Sequence, residues 1–202
     1  MKNHKATIET ELITSDDGKH TYEQIKRLVG IDGERGYMIS LYATRTAENI
    51  FSNDFTLTHL LSHMQEIGFS ELHLVNLFSK SITSQRGLTV DEDNLQYIEK
   101  LMSSKEFSDS KFVIAWGNSM QNSQAVSDSK VRILNMFLKL CPKNKLYQLT
   151  PINRRIDPTP TPHPLFLGIR ASNSVWGLQE FKIKKPKQTL IDKPKQPKIV
   201  KK

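Results

Sequence analysis

Apolar positions gather in four short runs, and between the runs their spacing changes to that of helices. Residues 37–42 (YMISLY), 71–78 (ELHLVNLF), 111–116 (KFVIAW) and 146–150 (LYQLT) read as buried strands. Leu57, Leu60, Leu61, Met64 and Ile67 form one helical stripe, with Asp54 or Thr56 placed to cap it and Gly68 to end it. A second helix starts at Asp91 or Asp93 and runs through Leu95, Ile98, Leu101 and Met102, and a third covers 127–140 with Val131, Leu134, Phe137 and Leu138. Upstream, 6–15 alternates partly and reads as a strand. Residues 20–30 place Tyr22, Ile25, Leu28 and Val29 at helical spacing, with Gly30 as a C-cap. Four apolar strands separated by helices predict a three-layer α/β/α domain around a four-stranded, mainly parallel sheet. Ligands of such sheets bind beyond the carboxyl ends of the strands. Here those ends are Tyr42, Asn76 and Gly117 with their loops, and the segment leading to His163.

Charge divides the chain in two. Nine of the 29 basic residues and one of the 21 acidic residues follow Phe181, which leaves twenty of each before it. Residues 1–181 therefore read as a formally neutral single domain, and 182–202 as a disordered Lys/Pro tail that can hold phosphates by counterion release. No apolar run reaches the roughly 18 residues needed to span a bilayer, and no secretory signal opens the chain. With a single cysteine, Cys141, these features predict a cytoplasmic protein without a membrane partner. Cys141 ends an apolar helical stretch without a basic neighbourhood, which favours packing over reactivity.

Metal and cofactor chemistry find little support. His59 and His63 are the one histidine pair at i, i+4, and they lack the intervening Glu of a zincin helix, so they read as a solvated face. No Walker or dinucleotide glycine motif occurs, and neither a metal nor a cofactor is expected. Two polar residues at strand ends stand out instead. Asn76 lies inside the apolar LVNLF, where its amide must be satisfied by the fold or by a ligand. His163 lies in TPTPHPLFLG, between prolines that restrict its backbone.

The order of these segments is Asp54-Phe55-Thr56, Val75-Asn76-Leu77-Phe78, Ala115-Trp116-Gly117 and His163-Pro164-Leu165-Phe166-Leu167. It resembles the uracil-DNA glycosylase superfamily, and more closely an uncharacterised bacterial family beside it, over about residues 36–170. The resemblance implies that Asn76 reads the Watson–Crick edge of a flipped uracil and that His163 donates to uracil O2 as the base leaves. It implies an aromatic stacking on the base, with Phe51 the first choice and Phe55 or Tyr42 in its place. It also implies an apolar wedge at Leu165 or Phe166. Arg45, Lys184 and Lys185 are the expected DNA-backbone contacts. The loop after the first strand, 41–48, lacks the superfamily's Asp-Pro or Asn-Pro, so Glu48 or Asp54 is the available water-activating carboxylate. The function implied is base excision from uracil-containing DNA, single- or double-stranded, by a monomer open to control by a regulatory or inhibitor protein. Two alternatives stay open: a catalytically weak or inactive nucleic-acid binder on the same fold, and a hydrolase acting on nucleosides or nucleotides.

Overall fold

A computed structural model describes residues 2–43, 49–152 and 161–183. The four apolar runs become β3 (Glu34–Tyr42), β4 (Phe69–Phe78), β5 (Lys111–Ile114) and β6 (Leu146–Pro151). Their side chains alternate between two apolar layers, as strand geometry requires. Tyr37, Ile39 and Leu41 of β3 join one layer, and Met38 joins the other. The first layer is covered by α2 (Glu92–Met102), α3 (Lys105–Ser108) and α4 (Gln124–Leu140). The second is covered by α1 (Phe55–His63) and α5 (Pro164–Arg170), which pack against each other.

The expected four-stranded, mainly parallel sheet is overturned. The chain is α/β in class, but its sheet has seven strands in the order β1-β2-β4-β3-β5-β6-β7, where β1 is Ile8–Thr14, β2 is Thr21–Leu28 and β7 is Trp176–Glu180. Parallel pairing joins β4 to β3, β3 to β5 and β5 to β6. Antiparallel pairing joins β1 to β2, β2 to β4 and β6 to β7, so the sheet is mixed.

The helix expected over 20–30 is also overturned, because that segment is β2. Its apolar positions mimic a helical stripe, yet Glu23, Gln24, Ile25 and Lys26 are all buried, two on each face. Polar partners make this possible. Glu23 accepts from Tyr97 Oη and faces His73 Nδ1, while Lys26 donates to Thr10 Oγ1 at 2.8 Å and to Asn53 Oδ1 at 3.0 Å. Gly30, at φ +76°, turns the chain between strands instead of ending a helix.

The His59/His63 face is not solvated. His63 is buried, stacks on Trp176 with ring centroids 4.0 Å apart, and pairs with Glu66 at 2.7 Å. His59 lies so close to Gly168 that a Cβ there would sit 2.1 Å from its ring. These contacts fasten α1 to α5 and β7. Cys141 is buried behind α4, where burial pushes its thiol above the usual range. At the other end, Phe181 donates to Leu146 O at 2.7 Å and Ile183 packs on the first layer, so ordered packing runs slightly past 181. The remainder of the Lys/Pro tail lies outside the described residues. No helix among the described residues is long and apolar enough to cross a membrane.

Candidate active site

A cleft of about 310 Å³ opens at the carboxyl end of β3 and β4, on the α1/α5 side of the sheet. Its floor comes from Ser40 of β3, Leu74 and Asn76 of β4, and Thr21 and Gln24 of the antiparallel β2. One wall is the start of α1, with Asp54 and Thr56, and the other is α5, with His163 just before it. The sheet register explains the floor. Ser40 is aligned with Asn76, and Gln24 with Leu74, so Ser40, Asn76 and Gln24 project from one face of three adjacent strands.

Local structure fixes His163 from several sides. It is the N-cap of α5, with Pro164 at the first helical position, where a missing N–H does no harm. Gly117 N–H donates to Thr161 O at 2.8 Å, and Thr161 N–H donates to Gln148 Oε1 at 3.0 Å. Gly117 has φ +66°, and a Cβ there would stand 3.0 Å from His163 Cβ. Glycine is therefore needed twice over in the Ala-Trp-Gly turn, for its conformation and for the close approach of His163. Thr161, a β-branched residue, takes φ +53°, a conformation costing on the order of 1–3 kcal/mol that persists only where its surroundings enforce it.

These contacts also set the tautomer. His163 Nδ1 accepts from Leu165 N–H at 3.2 Å, so a neutral ring carries its proton on Nε2, which lies 2.7 Å from Ser40 Oγ. Burial holds the imidazole pKa down to about 4, and the nearby Asp54 carboxylate offsets only part of that effect. At neutral pH the cleft thus presents an uncharged N–H donor. Asp54 is held by its capping role, with one carboxylate oxygen accepting from Leu57 N–H at 2.7 Å.

Asn76 is buried, and Asn94 Nδ2 donates to its backbone carbonyl at 2.8 Å, which locks the strand end to α2. Among the described residues nothing bonds the Asn76 side-chain amide. Gln24 is similar: it is 6% exposed and its Nε2 is fully buried without a partner. Leaving such a group unsatisfied costs roughly 1–3 kcal/mol. Two residues whose carboxamides lack a full set of partners among the described residues, a neutral imidazole and a carboxylate therefore line one cavity. That set suits a planar heterocycle with alternating donors and acceptors.

Residues 23–165 match the family described as Protein of unknown function (DUF1643). The chain belongs to that family. No curated protein and no solved structure matches it. The DUF1643 match runs from β2 to the start of α5, so it holds Gln24, Ser40, Asp54, Asn76 and His163 and leaves out β1 and β7.

Of the residues singled out in this DUF1643 sequence, Asn76, His163, Asp54, Tyr42, Leu165 and Phe166 line the cleft together. Phe51 does not. It is 93% exposed and outside the cleft wall, as is Phe55 at 78%, so Tyr42 and Phe166 are the aromatics at the site. Arg45, Glu48, Lys184 and Lys185 lie outside the described residues. Sequence reasoning missed Ser40, Gln24, Thr21 and Ser119. Ser40 carried the signal that marked Asn76, a polar residue within an apolar strand. Gln24 carried none, because β2 read as a helix.

Proposed function

We propose that the cleft receives a flipped nucleobase and that the protein is a base-excision hydrolase that removes uracil from DNA. The observation carrying this reading is the convergence of the neutral His163 N–H donor and the unpartnered Asn76 amide on one cavity. Asn76 offers an acceptor to uracil N3–H and a donor to O4. As the C1′–N1 bond breaks, its electron pair passes to the base, and negative charge gathers on O2. The Nε2–H that Ser40 now shares is the donor for that oxygen. An uncharged donor aimed at developing charge is usually among the largest contributions to such a reaction.

Water completes the hydrolysis at C1′, and its proton passes to a carboxylate. Asp54 stands in the cleft wall for this role, with Glu48 as the other candidate. Tyr42 and Phe166 are the cleft-lining rings that would stack on the base, and Leu165, also in the lining, is the side chain that would fill the space it leaves in the helix. Backbone affinity falls to Arg45 and to the tail, including Lys184 and Lys185, since no Lys or Arg lines the cleft among the described residues.

The test is direct. Pure protein is incubated with a uracil-containing oligonucleotide in the presence of a chelator, and abasic sites are then cleaved with alkali. Cleavage at uracil alone is the expected result. Intact uracil after long incubation with excess protein overturns excision, and retained binding under those conditions would assign the protein as a non-catalytic binder.

A further inference from the structure

We propose that Gln24 is a second base-contacting residue, its carboxamide donating to the 4-carbonyl of the bound pyrimidine beside Asn76. The inference rests on the base-binding reading above and adds a contact that the sequence resemblance does not assign. Gln24 comes from β2, an antiparallel strand outside the parallel part of the sheet, yet its side chain lines the same cleft. It is 6% exposed, and its Nε2 is buried without a hydrogen-bond acceptor. The buried charged residues of β2 are treated differently: Glu23 and Lys26 both have side-chain partners within the fold. Buried orphans also occur at Asn94 Oδ1 and Ser129 Oγ, away from the cleft, but Gln24 lines the cavity, so a turn of its carboxamide toward a bound ligand gives the N–H an acceptor.

The order of the strands gives that contact its chemistry. Ser40, with His163 Nε2 beside it, stands on β3, Asn76 on β4 and Gln24 on β2, in that spatial order. Adjacent strands are about 4.8 Å apart, and Gln24, aligned with Leu74, lies diagonally two positions from Asn76, a separation that a glutamine side chain spans. The polar edge of uracil runs in the same sequence, from the O2 acceptor through the N3–H donor to the O4 acceptor. With O2 at His163 and N3–H at Asn76 Oδ1, O4 falls between the two amides. Its two lone pairs then accept one N–H from Asn76 and one from Gln24. The site thus selects a pyrimidine that carries a carbonyl at position 4.

Gln24→Met keeps the volume and removes the amide, and Gln24→Leu provides a second apolar variant. Because the buried Nε2 is unpaired, neither substitution should lower thermal stability. Binding is measured with single-stranded oligonucleotides that contain one 2′-fluoro-2′-deoxyuridine, which resists excision, or the matching 2′-fluoro pyrimidin-2-one nucleoside, which lacks the 4-carbonyl and with it the N3–H. The wild-type protein should prefer the uracil probe. Both variants should bind that probe about tenfold more weakly and leave affinity for the pyrimidin-2-one probe unchanged. Unchanged affinity for both probes, or equal weakening of both, overturns the Gln24 contact while leaving base binding intact if Asn76→Ala still loses the uracil preference. A wild-type protein with no preference between the probes, unaltered by Asn76→Ala, overturns base reading and the Gln24 contact with it.

Discussion

Strands β2 and β4 carry a polar cluster on each face, and the two clusters are built in opposite ways. On the α2 side, Glu23 accepts from Tyr97 and meets His73 Nδ1 at 2.6 Å, and His73 Nε2 meets Glu71 at 2.6 Å. Burial would raise the Glu71 carboxyl, but hydrogen bonds from His73 and Arg35 outweigh it and hold the group below its usual range. Here polar side chains find their partners inside the protein. On the α1/α5 side, Gln24 Nε2 is buried without a partner, nothing among the described residues bonds the Asn76 amide, and both residues line a cavity. The first arrangement is how a fold keeps buried polar groups, and the second is how it keeps a ligand site. Both use the same strands, so burial and strand position are not what separates structure from function here. Between these two clusters, satisfaction of hydrogen bonds at a cavity is.

The largest effect should come from breaking the closed cluster. Glu23→Leu strips His73 and Tyr97 of a buried partner, and loss of one member of a buried charged pair typically costs about 3–5 kcal/mol. Urea denaturation should show that loss, and an unchanged midpoint would erase the contrast between the two faces. Next is His163→Ala, for which single-turnover uracil excision should fall about 10²- to 10³-fold. An unchanged rate in this folded variant would remove His163 from the chemistry.

The pH dependence sharpens the same point with a smaller effect. Burial lowers the folded-state pKa of His163 to about 4, below the ordinary value of 6.5. Between those values the unfolded chain binds more protons, so the contribution of the neutral ring is full above pH 6.5 and is lost as pH falls toward 4. The acid-induced loss of stability should be shallower in His163→Gln than in the wild type. Excision should likewise show no His163 inflection near pH 6.5. An inflection there, abolished in His163→Gln, would mean that the imidazole is not held neutral.

The smallest effect on chemistry belongs to the tail. Ending the chain after Ile183, which keeps the packed residues, removes eight lysines and one acid. DNA affinity at low salt should weaken, and the log–log salt slope should flatten by about 0.9 per lost phosphate contact on duplex, or about 0.7 on single strands. Single-turnover excision at saturating protein should stay the same. An unchanged salt slope would move the backbone contact into residues 1–183.

How much of this was legible in the sequence depended on whether a segment's neighbours were apolar. The four central strands and the α1 cap at Asp54 could be read because their burial is apolar and their periodicity clean. Asn76 and His163 stood out as polar residues where apolar or irregular ones were expected, and Gly117 marked the turn that meets His163. By contrast, β2 hides its polar residues by pairing them across the sheet and with α2, which no local pattern reveals. Reading it as a helix removed Gln24 from view and shortened the sheet. Strand β7 was missed because it is five residues long and held by Trp176 stacking on His63, a contact between distant parts of the chain. Phe51 was chosen for its loop, and loop position alone does not say which way a ring faces.

The central claim is that the open cluster is kept for a base and not for the fold. It is tested by measuring thermal stability and single-turnover excision from a uracil-containing oligonucleotide on the same samples of wild type and Asn76→Ala. Among the described residues nothing bonds the Asn76 side-chain amide, so its removal should leave the melting temperature nearly unchanged while excision of uracil collapses. A variant that melts markedly earlier yet excises uracil at the wild-type rate would contradict that claim.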